Sequence, residues 1–382
     1  TRGAIRIECD VSSFEEQPEV DTLRRAFEHA VAAAQPDICL RAALEKIENP
    51  SAAVVIGAGK AAAAMAASFH SCWPAPVRGL VVTRYGHGLL QNESSGAIEI
   101  VEAGHPSPDS ASVEAGQRLL ELAASVADDE QLYWLVSGGG SALAAAPLPP
   151  LSFEQKRAAA DFLIRAGADI REINCVRKHL SGLKGGRLAA AAHPRTVHTF
   201  AISDVPGDDM AAIASGPTIA DPTTRQQAIA VLRKYEYPDI DALRVVLDDA
   251  AFETPKPGSG SFARDSYEII ADAGTALTAA RDLLEQEGYT VVFLGDDLDD
   301  EARSLGNAHA EMALEELSRR KPVAILSGGE TRVVIRHSGG RGGRNLEYLA
   351  GVAERLDDCA GVFALAADTD GIDGHGGHAG AW

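Results

Sequence analysis

The sequence predicts an α/β fold: a parallel sheet covered by helices on both faces, joined to a second, smaller α/β domain. Three observations predict it. Short, continuously apolar runs alternate with amphipathic stretches of helical length, the pattern of strands buried on both faces. At 382 residues the chain is too long for one ordinary core, so two domains are the expectation. A Pro-, Gly- and Ser-rich stretch, Glu253-Thr-Pro-Lys-Pro-Gly-Ser-Gly-Ser-Phe262, separates two runs of the same pattern and reads as a linker. The domains are therefore placed at residues 1–260 and 261–382.

The elements follow in order. Val20 to Ala34 reads as a helix, Ala52 to Ile56 as a strand and Lys60 to Phe69 as the Ala-rich helix after it. Strands are expected at Leu80 to Thr83, Ile98 to Val101, Leu132 to Val136 and Val197 to Ile202. Helices are expected at Asp109 to Ala124, Phe153 to Ala166 and Asn174 to Ala191, the second opened by a capping box of Ser152 and Gln155. Beyond the linker, helices are expected at Ala273 to Gln286, Glu301 to Arg319 and Asn345 to Leu356. Strands are expected there at Thr290 to Leu294, Val323 to Leu326, Arg332 to Arg336 and Val362 to Ala366.

The composition, 46% apolar and 24% charged, is that of a soluble globular chain. A formal net charge of −20 argues against nucleic-acid and anionic-membrane partners. An anionic substrate would then have to be held by a few local basic groups. The five cysteines are scattered without a C-x-x-C pair, which argues against a disulfide framework or zinc site and fits a reducing, cytoplasmic setting. No apolar run reaches membrane-spanning length, and the start of the chain, which is not Met, has no signal-peptide core.

Five glycine-rich turns carry the chemistry. Ile56-Gly-Ala-Gly-Lys-Ala-Ala62 follows a strand with G-x-G-x-x-A spacing, a weak dinucleotide fingerprint. The next strand ends Thr83-Arg84-Tyr85, without the acid that NAD ribose needs. Gly57 and Gly59 fit a tight turn; Lys60 at a helix N-terminus is locally unfavourable unless an anion joins it. Ser137-Gly138-Gly139-Gly140-Ser141 ends a strand with more glycine than a simple turn requires, and its N–H groups and hydroxyls suit a phosphate or carboxylate. In Asn174-Cys-Val-Arg-Lys-His-Leu-Ser-Gly-Leu-Lys-Gly-Gly-Arg187, helical spacing puts Arg177, Ser181 and Lys184 on one face and Asn174 with Lys178 on another. Each of these segments alone is equally compatible with an ordinary turn or a solvated helix face. Asp204 and Asp208, in Ser203-Asp-Val-Pro-Gly-Asp-Asp209 after a strand, could hold magnesium, which takes one or two carboxylates plus water and phosphate oxygens. The second domain supplies Ser327-Gly328-Gly329-Glu330-Thr331, the run Ser338-Gly-Gly-Arg-Gly-Gly-Arg344-Asn345, and Asp368-Thr-Asp370-Gly-Ile-Asp373. Arg344 stands where a helix begins and raises the same question as Lys60.

Taken together, these motifs resemble the class II glycerate kinases, which carry a MOFRL domain toward the C-terminus. The matching residues are Gly57-Ala-Gly-Lys60, Gly104-His-Pro-Ser-Pro-Asp109, Ser137 to Ser141, Ile173 to Ser181 with Lys184-Gly-Gly186, Ser203-Asp-Val205, Ser215-Gly-Pro-Thr218, Ser327 to Thr331, Gly342-Gly-Arg-Asn345 and Asp368 to Gly374. They span most of the chain and are collectively specific. The resemblance implies a Rossmann-like first domain and a MOFRL-type second domain. It also implies phosphorylation of D-glycerate by ATP with Mg2+, usually to 2-phosphoglycerate, in an interdomain cleft. It further implies that Lys60 and Arg344 are essential, and that the family's chain continues past Gly374 for some tens of residues that this sequence lacks. On that reading Lys60 and Arg344 neutralise the transferred phosphoryl group and Ser137 to Ser141 cradle an anion. Asn174, Lys178, Lys184, Ser327 to Thr331 and Asn345 line the site. Asp204, Asp208 or Asp370 holds magnesium or accepts the hydroxyl proton. The expected partners are D-glycerate and nucleotide, with a homodimer as the assembly considered. A rival reading, an NAD(P)H-dependent hydroxypyruvate reductase, draws on the G-x-G-x-x-A turn and on the family's older label. It could use Arg84 for a 2′-phosphate but leaves the Ser-Gly-Gly turns unexplained. A third reading is a non-catalytic metabolite-binding protein.

Overall fold

Six apolar segments form one sheet: β1 (Ala52–Ala58), β2 (Val77–Arg84), β3 (Ile98–Ala103), β4 (Glu130–Val136), β5 (Val197–Ile202) and β6 (Ser266–Ala271). Their order is β3-β2-β1-β4-β5-β6, and β1 to β5 pair in parallel. This is the strand order of a doubly wound dinucleotide fold. The computed structural model describes residues 17–334, 341–357, 359–369, 371–374 and 378–382, apart from the side chain of residue 261.

The central strands β1 and β4 are buried on both faces, which explains their apolar runs, whereas the outer β3 and β6 are only partly buried and carry Glu99 and Glu268. On one face Val54, Ile56, Leu132 and Trp134 pack with Leu119 and Leu188; on the other Val55, Tyr133 and Leu135 pack with Leu40, Met65 and Phe69. Helix α1 (Pro18–Ala33) lies outside this unit. α2 (Pro36–Leu44) and α3 (Ala62–Cys72) cover the second face, whereas α4 (Ser110–Ala124) and the short α5 (Gly140–Leu143) contribute to the first. A separate helical layer consists of α6 (Phe153–Arg165), α7 (Ile170–His179), α9 (Arg225–Lys234) and α10 (Ile240–Leu247); α8 (Arg187–Ala192) returns to the sheet. The capping box of Ser152 and Gln155 at the start of α6 is present.

The helix expected from Asn174 to Ala191 is two helices. α7 stops at His179, and Ser181 Oγ accepts the N–H groups of Leu183 and Lys184, which diverts the backbone from helical bonding. Gly185 and Gly186 then take φ of +59° and +82°, a left-handed conformation that ends any helix. Lys184 therefore lies in a loop, and it does not share a helix face with Arg177.

The domain boundary also moves. One unit is Pro36–Ile270; the other joins residues 17–35 to the described part of Ala271–Trp382. The Pro- and Gly-rich stretch ends before β6, which still belongs to the first sheet. Within the second unit, Ala26 and Ala30 of α1 pack on Ala280 and Leu284 of α11 (Ala273–Gln286). That unit also contains the parallel pair β7 (Thr290–Phe293) and β8 (Val323–Leu326), helices α12 (Ala302–Glu316) and α13 (Arg344–Leu356), and the short antiparallel pair β9 (Ala366–Ala367) and β10 (Gly380–Ala381). The strand expected at Arg332 to Arg336 forms only an isolated bridge at Arg332; Ile335 and Arg336 lie outside the described residues. Val362 to Leu365 is not strand; pairing begins at Ala366. Among the described residues no helix is long and apolar enough to cross a membrane.

Candidate functional site

The carboxyl ends of β1 to β5 lie along one edge of the parallel sheet. The strand order reverses between β1 and β4, and ligands of open α/β sheets bind outside the carboxyl ends of the strands at such a switch point. The loops that leave β1 and β4 here are the Gly-Ala-Gly-Lys and Ser-Gly-Gly-Gly-Ser turns.

These two turns are locked together. Lys60 N–H donates to Gly138 O at 2.9 Å, Ala61 N–H donates to Ser137 Oγ at 3.0 Å, and Thr83 Oγ1 donates to Lys60 O at 3.2 Å. A Cβ on Gly59, at φ +149°, would lie 2.1 Å from Ser137 Oγ and 2.7 Å from Ser137 N, so only glycine permits the contact. Gly57 has a related packing reason, since a Cβ there would come within 2.5 Å of Leu135 O. The β1 turn therefore offers little to an anion through its backbone, because the N–H groups of Lys60 and Ala61 already have acceptors. The β4 turn differs. Among the described residues, the N–H groups of Gly138, Gly139 and Ser141 meet no acceptor.

Side chains converge on this second turn. A Cβ on Gly138 would lie 1.9 Å from Asp204 Oδ2; one on Gly139 would lie 2.8 Å from the His105 ring and 3.4 Å from Lys60 Cγ. Lys60, His105 and Asp204 thus surround Gly138 and Gly139. Gly140 opens α5, beneath Ala58 O. The role of His105 was missed from the sequence, although Gly104-His-Pro-Ser-Pro-Asp109 follows β3 and so leaves the same edge as the other loops. Arg84, at the end of β2, buries Nε and Nη2 without a hydrogen-bond partner among the described residues. The sequence reading connected it only with a nicotinamide phosphate.

Of the other residues predicted for the site in this unit, Ser141, Asn174, Lys178 and Lys184 have internal partners. Ser141 Oγ, Ser215 Oγ and Asn174 Oδ1 form a chain with steps of 3.0 and 3.1 Å. Lys184 is fully buried and its Nζ donates to the carbonyls of Ser141, Ala144 and Ala214 at 2.8, 3.3 and 3.5 Å. Burial, reinforced by the charges of Lys156 and Arg177, pushes its pKa well below the ordinary lysine value. Lys178 is buried against Asp221 at 3.4 Å, in a network with His179, Glu253 and Thr254. Both lysines, expected to contact substrate, are thus committed to holding the chain. Asp208 is half-buried with φ +52°, four residues beyond Asp204.

In the second unit Ser327 follows β8, and Gly328 N–H donates to Gly295 O while Leu298 N–H donates to Gly328 O. Gly329, at φ +142°, lies against Leu298. Glu330 pairs with Arg344 at 3.3 Å, and Thr331 is half-buried beside it in sequence. Arg344 opens α13, whose N-terminus is capped by Asp373: its carboxylate accepts from Asn345 N–H, Asn345 Nδ2 and Leu346 N–H at 3.1, 3.3 and 3.0 Å. Asn345 is thus tied to the cap. Ser338 and Asp370 lie outside the described residues.

Comparison with known proteins gives the family and agrees with the fold. The family described as a domain of unknown function, DUF4147, matches residues 22–247, and the MOFRL family matches residues 323–382. A protein of Agrobacterium vitis that bears the provisional name hydroxypyruvate reductase is 44% identical over 92% of this chain and 80% of its own length. The D-glycerate 2-kinase of Thermotoga maritima is 36% identical over 90% of this chain and 81% of its own. A crystal structure of the glycerate kinase from that organism superposes with a TM-score of 0.84 at 33% identity, covering 95% of this chain and 86% of the other. The chain belongs to the glycerate kinase family that joins a DUF4147 domain to a MOFRL domain.

Proposed function

We propose that the protein transfers the terminal phosphoryl group of ATP to D-glycerate, giving 2-phosphoglycerate. The observation that carries this reading is the pair of turns at the switch point. Among the described residues the β4 turn keeps three N–H groups without acceptors, beside Lys60, His105 and Asp204, while the fingerprint turn of β1 has its N–H groups occupied. A nicotinamide dinucleotide would lay its pyrophosphate on the β1 turn. The occupied N–H groups there favour phosphoryl transfer over the reductase reading.

Phosphoryl transfer asks the protein chiefly for alignment and charge neutralisation. In this account the N–H groups of Gly138, Gly139 and Ser141 bind one anionic group, with Arg84 as a further cation at the same edge. Lys60 neutralises charge on the transferred group. Asp204 accepts the proton of the attacking hydroxyl. Among the described residues no cluster of three metal-binding side chains exists, but magnesium arriving on nucleotide phosphates needs only one or two carboxylates. In this reading Asp208 would supply one, and the ion's chemistry there would be to shield phosphate charge.

The test is a pair of assays on one preparation: ADP release with ATP, magnesium and D-glycerate, and loss of nicotinamide absorbance with NAD(P)H and hydroxypyruvate. Turnover in the first alone is expected. Turnover in the second alone would overturn the proposal.

A further inference from the structure

The kinase account leaves one feature unused, a group of buried cations beside the β4 turn. Lys156 on α6 is only 8% exposed, yet among the described residues its ammonium has no hydrogen-bond or ion-pair partner. Arg177 on α7 is half-buried and likewise has neither; Asp161 acts on it only through the longer-range attraction of its charge. Lys184 is close enough to both for their charges to weaken its own protonation, and its three N–H bonds already point to carbonyls. Asn174 stands three residues before Arg177 on α7, about one helical turn away. Its Oδ1 accepts from Ser215, while its Nδ2 donates to no described residue.

Lys156 and Arg177 act on each other by charge in a poorly solvated place, although neither head group is sealed from solvent; cations so gathered without counter-charges are costly and readily meet an anion. Burial and the Arg177 charge push Lys156 down to about 8, so it stays mostly protonated at neutral pH. The Ser141–Ser215–Asn174 chain connects this group to the turn at which Lys60 and Asp204 meet.

We infer that Lys156, Arg177 and Asn174 form the subsite that receives the carboxylate of the acceptor substrate, and that they select a 2-hydroxy acid over a neutral polyol. The inference rests on the kinase reading above. It separates the work of the cations: those at the sheet edge serve the phosphoryl group, and those on α6 and α7 serve the acceptor.

The experiment uses the full chain with Lys156→Met and Arg177→Met, each assayed at saturating ATP against D-glycerate and at saturating glycerate against ATP. The neutral analogue glyceramide is the third substrate. Losing a hydrogen bond to a charged group should raise KM for glycerate by about ten- to a hundredfold in each variant. KM for ATP should stay within about twofold, and the preference for glycerate over glyceramide should shrink by the same factor as glycerate binding weakens. Thermal melting separates a positioning defect from a structural one. Replacing an unpaired buried cation with an apolar side chain should not lower Tm. Unchanged glycerate KM in folded variants of an active enzyme would overturn the subsite and leave the kinase reading standing. So would a rise confined to ATP. A wild-type protein inactive toward glycerate and ATP would overturn both.

Discussion

At the residue scale the account turns on Lys60 and on the glycines that let it approach the β4 turn. Lys60→Ala should lower kcat/KM for glycerate phosphorylation by about 10²–10³-fold, the usual cost of removing one group that stabilises developing charge. Its Tm should hold, because the backbone bonds to Gly138 and Thr83 do not involve the side chain. Gly138→Ala is the sharper probe. The new methyl would overlap the end of the Asp204 side chain, which is exposed and can move aside. Turnover should therefore fall toward that of Asp204→Asn while Tm stays near wild type. Gly59→Ala meets backbone atoms of Ser137 at a positive φ, so a loss of Tm should accompany its loss of activity.

The elements explain which residues were legible. Apolar runs located β1 to β5, most clearly in β1 and β4, where burial on both faces leaves almost no polar interruption. The boundaries of β5, β8 and α11 are as the pattern implies. α9 and α10 were not anticipated: their apolar positions face the α6–α7 layer, away from the sheet, so no neighbouring strand marks them. Lys178 and Lys184 were misleading for a physical reason. Periodicity shows which side of a helix a residue occupies, but the partners of Lys178 and Lys184, Asp221 and three backbone carbonyls, come from distant segments. Lys184→Met would leave three buried carbonyls without a donor. It should cost about 2–4 kcal/mol, read as a fall in Tm or denaturation midpoint.

The network around α7 also sets an acid limit. Burial holds His179 below the ordinary histidine value, so the unfolded chain binds its proton more readily. Bonds from Lys256, Arg225 N–H and His179 outweigh desolvation and hold Glu253 down at about 2. Both groups stabilise the fold above their unfolded values and lose that contribution as pH falls. Melting temperature should begin to drop below about pH 6.5, through His179, and drop further between about pH 4.5 and 2, through Glu253. In Glu253→Gln the lower part of that decline should flatten. An unaltered acid profile would remove the network from the account.

For the whole molecule, the −20 net charge makes the local cations decisive, since the general field opposes anionic substrates. Family membership was legible because many short motifs agree over most of the chain. The distinction between a nicotinamide turn and a phosphoryl-transfer site was not legible, because it depends on which N–H groups the two turns occupy in each other. The most direct measurement of the central claim is phosphorus NMR of the products formed from ATP and D-glycerate by the wild-type chain and by folded Lys60→Ala. The account predicts ADP and 2-phosphoglycerate in equal amounts from the wild type and almost none from the variant. Equal rates from both, or no phosphorylated glycerate from the wild type, would contradict it.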